Sequence, residues 1–552
     1  MKKTENKNEH RNQVKFIPAV VISAALTVLL FLYAPLIIYS GNYEDFTFDI
    51  FDVLKYGCLL TAVAMMVLIG AFTLIRRLSD KLYYLALAIA LAGFVGFFVQ
   101  GNFLIRDLPL MDGTAVNWTD YSSAKIISAA VWIIAGFAAV LIAAFAGKDN
   151  LEKTVSSVGC FGLFFLCVSL ALTIFSDPQI VEPSTDTCMT ADGFLELSEN
   201  ENFVIIMLDS VDASHFNSIV ENDPHYKDVF SDFTFYKNTM AGYPFTQYSV
   251  PFFLFGQWYE NNETYSDYLS RSLQESLLMK RLTEDEYDSR IFFDYLQQEN
   301  ISRDLFDNFQ TVREFKSPDL FCKMLLKLVG FRYLPYGLKQ YCELLPENIA
   351  YDSLKTNDGE EIDYYDIGVR ALYDRINSTD ITFSNRSCFR FICTEGAHAP
   401  FNLDKDINEI PDGGYDQSIE AAITLADAYI SKMKDAGLYD NSIIIVLADH
   451  GIRGDNPNAG TGRQNPILLI KGKNEHHPYQ VSDAPISHED LPEAYMKLMD
   501  GEKGDACFSW NEGDSRTRRY MLSVVKENRI YEYSSNGHAS DLGMMIESGT
   551  VY

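Results

Sequence analysis

The residues best suited to chemistry are an adjacent aspartate and histidine, Asp449 and His450, which are followed by Gly451. The aliphatic and β-branched run Ser442–Leu447 precedes them and predicts a strand buried on both faces. In an open α/β sheet, ligands bind at the carboxyl ends of the strands, where this pair would lie. A carboxylate and an imidazole suit a divalent cation such as Zn²⁺ or Mn²⁺. A plain turn at the end of the strand is the alternative, because Asp and Gly are common turn residues.

A second carboxylate follows another aliphatic run. The stretch Asn202–Leu208 predicts the first strand of an α/β domain, and Asp209 and Ser210 come directly after it. This strand would place Asp209 at the same edge of the sheet as Asp449. The alternative is that Asp209 caps the helix that follows the strand.

Hydroxyl groups lie between Gly242 and Pro251, in a segment whose glycine and prolines predict a loop. One of them belongs to Thr246. A hydroxyl is a weak nucleophile at neutral pH, but coordination to a metal ion lowers its pKa and orients it for attack. A threonine close to two carboxylates and a histidine would make such a site.

A further histidine, His398, follows the short predicted strand Arg390–Thr394 and comes two residues before Pro400. Such a histidine could reach a bound anionic group, and a hydrogen-bonded structural role is the alternative. Apolar residues at helical spacing then predict a helix over residues 418–434. Together with the strand at 442–447 this helix completes a β-α-β unit, which builds a parallel sheet.

The first third of the chain contains five apolar stretches, each long enough to span a bilayer. They cover approximately residues 16–39, 52–76, 82–104, 124–147 and 155–176. Basic residues are concentrated in the head of the chain and in the second and fourth connections, which predicts a cytoplasmic N-terminus. An odd number of spans then places the rest of the chain on the outer face of the cell membrane.

The sequence therefore predicts a cytoplasmic tail (1–15), a transmembrane domain (16–176), a linker (177–200) and an extracytoplasmic domain (201–552). The formal net charge of −30 argues against nucleic acid or anionic lipid as a partner of the outer domain. The nine cysteines include no Cys-x-x-Cys pair that would indicate a zinc site. Those beyond the apolar stretches leave disulfide pairing open.

The order of these motifs resembles the sulfatase-like branch of the alkaline phosphatase superfamily. More narrowly, it resembles membrane-anchored lipoteichoic acid synthases and lipid A phosphoethanolamine transferases. The motifs are the strand before Asp209, Thr246 with its Ser-Val-Pro sequel, His398-Ala-Pro-Phe, and Asp449-His-Gly. The resemblance implies an α/β fold in which five transmembrane helices precede a sulfatase-like domain. That domain would have a mostly parallel central sheet and a small C-terminal antiparallel β unit.

The resemblance also implies site residues. One divalent metal ion, Mn²⁺ or Zn²⁺, would be held by four ligands: Asp209, Thr246, Asp449 and His450. Thr246 would also be the nucleophile, and His398 and Arg463 would contact the transferred group. Two positions depart from the family patterns, because the transferases usually carry Glu at 209 and true sulfatases carry a second Asp at 210.

The nucleophile position separates two chemistries. Sulfatases use a formylglycine made from Cys or Ser in a Cys/Ser-x-Pro-x-Arg context, and the nearest match here, at Ser249, has Phe253 in the place of Arg. The sequence therefore predicts a phosphotransferase of the cell envelope. It would move a lipid head group, phosphoglycerol or phosphoethanolamine, through a phospho-threonine to a glycan or lipid acceptor. A hydrolase of phosphate or sulfate esters and a non-catalytic envelope protein are the alternatives.

Overall fold

A computed structural model describes most of the chain. It covers residues 16–43, 46, 48–105, 108–109, 116, 118–145, 147–176, 178–181, 187–293, 305–315, 318–344, 354–356, 363–411, 413–452, 462–524 and 529–552. The predicted cytoplasmic tail, part of the predicted linker and most of the Gly/Asn-rich loop after Gly451 lie outside these residues.

The chain divides into two compact units that interleave along the sequence. The first, which we call the helical unit, comprises Met1–Asp186 and Val312–Glu361. The second, the α/β unit, comprises Thr187–Thr311 and Ile362–Tyr552. The chain therefore passes between the units three times.

Five helices of the helical unit are long and apolar enough to cross a membrane: α1 (Ile17–Ser40), α2 (Ile50–Leu78), α3 (Asp80–Phe103), α4 (Ser122–Phe145) and α5 (Lys148–Ser176). They confirm the five predicted stretches. Helices α3, α4 and α5 begin earlier than predicted, at Asp80, Ser122 and Lys148, because apolarity alone does not mark their polar first turns. In α2, Asp49 caps the amides of Phe51 and Asp52, while Arg76 and Arg77 lie in the last turn. Both placements complement the helix dipole.

The helical unit also contains a segment from much later in the sequence. Helix α11 (Pro318–Tyr333) and the 3₁₀ turn Tyr336–Cys342 belong to it, as does the short strand β7 (Leu354–Thr356). Buried residues of α11, among them Phe321 and Leu325, share a hydrophobic core with the apolar helices. No local sequence pattern indicates what these elements pack against.

The α/β unit is built around a seven-stranded sheet. In spatial order its strands are β12 (Gln480–Ser482), β4 (Thr234–Tyr236), β11 (Leu468–Lys471), β10 (Ser442–Leu447), β3 (Asn202–Leu208), β9 (Cys388–Thr394) and β5 (Asp288–Phe292). Four of the six pairings are parallel and the two made by β11 are antiparallel. The predicted mostly parallel sheet is confirmed.

Eight helices flank this sheet among the described residues: α6 (Ala213–Asn222), α7 (His225–Val229), α8 (Thr246–Phe255), α9 (Tyr265–Glu275), α10 (Leu277–Glu284), α12 (Val369–Ser378), α13 (Tyr415–Asp435) and α14 (Leu491–Met499), with a 3₁₀ turn at His488–Asp490. Helix α13 contains the predicted helix and connects β9 to β10. Because β3 lies between these two strands, the connection crosses one strand.

The smaller strands form separate sheets. At the C-terminus, β13 (Arg518–Val524), β14 (Arg529–Ser535) and β15 (Ile546–Val551) form the predicted antiparallel unit. Strand β2 (Glu196–Ser198) pairs with β8 (Thr382–Ser384), and β1 (Thr187–Met189) pairs with the start of β6 (Phe309–Phe315).

Two elements are not marked by local composition. The residues near Phe292 end the edge strand β5. The acidic stretch from 351 to 385 includes α12, which buries Val369, Leu372 and Ile376. In α12 the apolar residues are few but lie on one face, so a polar composition conceals a helix with a buried side.

Candidate metal centre and nucleophile

The two predicted acidic residues lie side by side at the ends of neighbouring strands. Strands β3 and β10 are parallel, and Met207 pairs with Leu447. Two residues further along each strand are Asp209 and Asp449. The strands thus place both carboxylates at the carboxyl edge of the sheet, which is the usual ligand site of such folds.

His450 completes a cluster of three groups. Its Nε2 lies 3.4 Å from Oδ2 of Asp449 and 3.9 Å from Oδ1 of Asp209. One potential ligand atom from each residue lies within 4.8 Å of the others. Such a spacing is compatible with a single ion held between them.

The imidazole of His450 is held in the form that binds metals. Its Nδ1 lies 3.0 Å from the carbonyl oxygen of Gly451, so Nδ1 carries the hydrogen and Nε2 presents its lone pair to the two carboxylates. Burial lowers the pKa of His450 to about 4, since the charged form is disfavoured in the interior and by nearby Arg463. The ring is therefore neutral at physiological pH.

The two carboxylates have opposite pKa shifts. Burial and the negative charge of Asp449 raise the pKa of Asp209 well above its usual range. Burial also acts to raise the pKa of Asp449, but hydrogen bonds from the backbone amides of Ser210 and His450 to its Oδ1 favour the charged form, and this pKa is held low. Two buried acidic groups at close range repel one another, and a divalent cation between them would relieve that repulsion.

One oxygen of the cluster has the property expected of a metal ligand. Oδ2 of Asp449 is buried and has no hydrogen-bond partner among the described residues. An unpaired buried carboxylate oxygen is costly unless a cation or water satisfies it. The donor set of two carboxylates and a neutral imidazole therefore fits a divalent metal ion.

The backbone around Asp209 is shaped by two residues with positive φ. Gly396 has φ +58°, and a Cβ at this position would lie 2.3 Å from the amide nitrogen of Asp209. Only glycine permits this close approach. Ser210 has φ +62°; its amide donates to Oδ1 of Asp449 (3.2 Å) and its hydroxyl donates to Oδ1 of Asp209 (2.7 Å). Ser210 thus orients both carboxylates.

Thr246 reaches the cluster from a helix and not from a loop. It is the first residue of α8, and its Oγ1 donates to Oδ2 of Asp209 at 3.4 Å. The predicted loop is wrong because Pro251, which looks like a helix breaker, lies inside this helix. The N-terminus of a helix carries partial positive charge, which stabilises an alkoxide or a phosphate there.

The first turn of α8 is secured by neighbouring side chains. Pro251 has no amide hydrogen to donate to the carbonyl of Gln247, and the hydroxyl of Tyr265 donates to that carbonyl instead. One turn into the helix, the buried hydroxyl of Ser249 donates to the backbone carbonyl of Asp449 at 2.6 Å and lies 3.5 Å from His488 Nδ1. These bonds tie the helix to the strand end that carries the acidic cluster.

The two predicted substrate contacts are placed differently. Nη1 of Arg463 donates to the carbonyl of Pro244 (2.7 Å) and lies 3.5 Å from His450 Nε2, so this residue borders the cluster directly. His398 is half-buried on the loop after β9, with Nδ1 2.8 Å from the carbonyl oxygen of Ala399. It is joined to the cluster through the neighbouring Ala397, whose amide donates to the carbonyl of Asp209.

Sequence reasoning missed several residues that support the site. The hydroxyl of Tyr415 donates to the carbonyl of Ser210 (2.5 Å) and accepts from the amide of Asp212 (2.9 Å). No local pattern indicates such a contact, since the residues are some 200 positions apart. His488 beside Ser249 is another such residue, and burial lowers its pKa to about 3.

Comparison with known proteins identifies the family. The profile of the sulfatase family matches residues 201–501, which is more than half of the chain. The chain belongs to the sulfatase family and is an enzyme of that family, which confirms the resemblance derived from the motifs. No curated protein sequence matches it.

Solved structures with the same fold are distant in sequence. A protein of the alkaline phosphatase superfamily from Vibrio parahaemolyticus is 15% identical, with 67% of this chain and 81% of that one covered and a TM-score of 0.36. The lipoteichoic acid synthase LtaP from Listeria monocytogenes is 12% identical, with coverage of 62% and 86% and a TM-score of 0.34. Ps i-CgsB, solved in complex with k-i-k-neocarrahexaose, is 14% identical, with coverage of 61% and 82% and a TM-score of 0.39.

Proposed function

We propose that this chain is a membrane-bound, metal-dependent phosphotransferase of the cell envelope. The observation that carries the proposal is the threonine at the first position of α8, whose hydroxyl donates to Asp209 in the cluster with Asp449 and His450. The established enzyme class leaves sulfate and phosphate esters open. A threonine cannot be converted to formylglycine, so its own hydroxyl is the group available for attack.

In the first half-reaction, Oγ1 of Thr246 forms a bond to the phosphorus of a phosphodiester. The bond between phosphorus and the alcohol of the donor breaks, and that alcohol leaves with the electron pair. The proton of Thr246 departs along its hydrogen bond to Asp209, and the leaving oxygen takes up a proton, for which His398 is the candidate donor. The head group is now a phosphodiester of Thr246.

In the second half-reaction, a hydroxyl of the acceptor attacks the same phosphorus and the bond to Oγ1 breaks. Thr246 recovers its proton from Asp209, and His398 takes the proton that the acceptor hydroxyl loses. Arg463 beside the cluster and the N-terminus of α8 would hold the non-bridging oxygens of the phosphoryl group. The two steps together transfer the head group without net hydrolysis.

Asp209, Asp449, His450 and Thr246 would hold one divalent ion, Mn²⁺ or Zn²⁺. When bound, such an ion stabilises negative charge on oxygen and lowers the pKa of a coordinated hydroxyl. The chain's own contribution is to orient these ligands, through Ser210 for the carboxylates and through the Gly451 carbonyl for His450.

The five apolar helices support a membrane lipid as the donor. In this proposal the N-terminus is cytoplasmic, residues 177–200 link the spans to the enzyme, and residues 201–552 form the extracytoplasmic domain. The donor would be a phospholipid head group, phosphoglycerol or phosphoethanolamine, and the acceptor a glycan or a lipid of the envelope.

The test uses the full chain in lipid vesicles that contain phosphatidylglycerol or phosphatidylethanolamine with a labelled head group, together with Mn²⁺ or Zn²⁺. We expect labelled head group on the tryptic peptide that contains Thr246, and none in Thr246→Ala. Thr246→Ser should retain part of the labelling, because it keeps a hydroxyl at the same place. Thr382→Ala, at an exposed position of β8, serves as the matched threonine control.

The products separate the proposal from hydrolysis at the same site. Label transferred to an added glycan or lipid acceptor supports the transferase. Free head group as the sole product, with or without acceptor, indicates a hydrolase instead. Unchanged turnover in Thr246→Ala would rule out the threonine mechanism for either reaction.

A further inference from the structure

The chain of the α/β unit returns to the helical unit between β6 and β7. Residues 318–342, comprising α11 and the 3₁₀ turn after it, form what we call the return segment. It belongs to the helical unit, although the residues before 312 and after 361 belong to the α/β unit. The return segment therefore folds with the helical unit, although the chain on both sides of it leads to the α/β unit.

The start of the return segment is buried among aromatic residues of the apolar helices. Phe321 is fully buried and its ring makes edge contacts with Phe48 (centroids 4.9 Å apart) and Tyr56 (5.2 Å). Phe48 lies just before α2 and Tyr56 in its second turn. Edge-to-face pairs of this kind add directional specificity to apolar burial.

The end of α11 is fitted to the last turn of α3. The ring of Tyr333 lies so close to Gly101 that a Cβ there would be 2.2 Å from two ring carbons. Nε of the adjacent Arg332 donates to the carbonyl of Gly101 at 3.0 Å. A positive side chain on a carbonyl near the end of a helix is favourable, and a glycine is needed where the ring approaches.

A buried polar chain joins the 3₁₀ turn to α3 and α4. The amide of Tyr336 donates to the hydroxyl of Ser128 (3.0 Å), which donates to Oε1 of Gln100 (2.6 Å). Buried hydrogen bonds of this kind are costly to leave unmade, so they fix one docking geometry. Tyr336 also stacks on Tyr121 with centroids 5.8 Å apart.

The return segment is itself stiffened at the junction between its two parts. Lys339 is fully buried, and its Nζ donates to the carbonyls of Phe331 and Arg332, which end α11. The segment thus meets α3 and α4 as a preformed shape, which reduces the entropy lost on docking.

We propose that the return segment is a non-covalent anchor that holds the enzyme on the membrane helices independently of the linker after α5. The surface formed by Gln100, Gly101 and Ser128 is its receptor. Enzyme cut at the linker stays bound to the helices through this surface. The proposal does not depend on the reaction that the active site performs.

The test uses the full chain in native membranes, with a specific protease site inserted between Val181 and Thr187. After complete cleavage and a wash in high salt, which screens charge interactions, the expected result is that the fragment starting near Thr187 sediments with the membranes. Recovery of the cleaved wild-type fragment in the supernatant would overturn the proposal.

Two glycines of the apolar helices provide a matched pair. A side chain at Gly101 meets Tyr333, whereas a Cβ at Gly136 of α4 has nothing within 4 Å. Gly101→Leu should release roughly tenfold more fragment than Gly136→Leu, the change expected for about 1.4 kcal/mol of lost binding. Equal retention in the two variants would mean that lipid, not this surface, holds the fragment, and the proposal would fail.

A variant in the return segment controls for misfolding of the apolar helices. Arg332→Ala combined with Tyr333→Ala leaves α3 and α4 intact and should also release the fragment after cleavage. The released fragment should bind Mn²⁺ or Zn²⁺ as the uncut protein does, which shows that it left the membrane folded. Retention of this double variant at the wild-type level would contradict the proposal.

Discussion

At the scale of single residues, the candidate metal site depends on how two buried carboxylates are kept together. Asp209 and Asp449 would repel one another, and the hydroxyl and amide of Ser210 offset this only in part. Oδ2 of Asp449 still has no hydrogen-bond partner among the described residues. This arrangement favours a bound cation and costs stability without one. The following predictions test the assignment residue by residue.

Asp449→Asn should weaken metal binding by more than the roughly 10–100-fold that loss of an outer-shell partner typically costs. The reason is that the amide removes a negative charge and places a neutral group where the unpaired oxygen Oδ2 now lies. Titration calorimetry of the purified protein with Mn²⁺ or Zn²⁺ measures the change. Asp406→Asn, at an exposed position, is the control and should bind as the wild type does. Equal affinities would remove Asp449 from the ligand set.

Gly396→Ala should abolish activity and metal binding, because the new Cβ would collide with the amide of Asp209 at 2.3 Å. The comparison is Gly437→Ala, which also has positive φ (+72°) but open space around it, and should cost only about 1 kcal/mol. Metal titration and thermal unfolding of both variants separate local displacement of Asp209 from general backbone strain. Normal metal binding in Gly396→Ala would contradict the prediction.

At the scale of elements, helix α8 carries the proposed nucleophile, Thr246, and the neighbouring helix α9 holds the first turn of α8 in place. The proline inside α8 leaves the carbonyl of Gln247 without its helical donor, and the hydroxyl of Tyr265 supplies the missing bond. The position of Thr246 therefore depends on a residue of the next helix.

Tyr265→Phe should slow formation of the labelled Thr246 peptide, because the first turn of α8 would lose a part-buried hydrogen bond worth about 1–3 kcal/mol. Tyr268→Phe is the matched control. It lies on the same helix and its hydroxyl donates to a different carbonyl, that of Gln257. If both variants label at the wild-type rate, Tyr265 does not position the nucleophile.

A buried carboxylate on the edge strand of the central sheet, Asp288, predicts how the stability of the fold depends on pH. Asp288 is buried in β5, and burial acts to raise its pKa, but hydrogen bonds and charge from Arg290 and Arg390 outweigh this and lower it. A carboxylate with a lowered folded pKa stabilises the fold above its unfolded pKa, and this contribution is lost as the pH falls through the folded pKa.

Asp288→Asn should therefore destabilise the protein by about 3–5 kcal/mol at neutral pH. The gap between variant and wild type should begin to narrow as the pH falls below about 4, where the carboxylate of the unfolded chain becomes protonated. It should close as the pH falls through the lower pKa of the folded carboxylate. Denaturant unfolding of the two proteins at pH 7 and at pH 3 measures this. A gap that is the same at both pH values would contradict the charge argument.

The elements differ in how far the sequence predicts them. Strands β3, β9 and β10 are buried on both faces, so an uninterrupted aliphatic run marks each of them. The start of α8 was hidden because its proline is tolerated only through Tyr265, a contact made outside the helix. The position of Asp209 likewise depends on Gly396, which is distant in sequence. The start of α8 and the position of Asp209 thus depend on contacts with residues outside their own segments, which local sequence patterns do not reveal.

At the scale of the whole molecule, the proposed topology makes a prediction about sides of the membrane. Protease added to right-side-out vesicles should digest the α/β unit and leave an N-terminal tag intact. In inverted vesicles the tag should be lost and the α/β unit protected. The physical basis is the excess of basic residues in the head and the even-numbered connections. The opposite pattern would place the N-terminus outside and the α/β unit in the cytoplasm, which would exclude an extracellular acceptor.

The interleaving of the two units also constrains the order in which the protein can assemble. The chain is made from its N-terminus, so the five apolar helices precede the return segment by the whole stretch that contains β1 to β6. The surface formed by Gln100, Gly101 and Ser128 therefore stays uncovered until residues 318–342 have been synthesised. Strand β3 also lacks its neighbours at first, because β9 and β10 are synthesised only after the return segment. Each unit thus begins to fold before the other can be completed. A chaperone that covers exposed apolar surface would act in that interval.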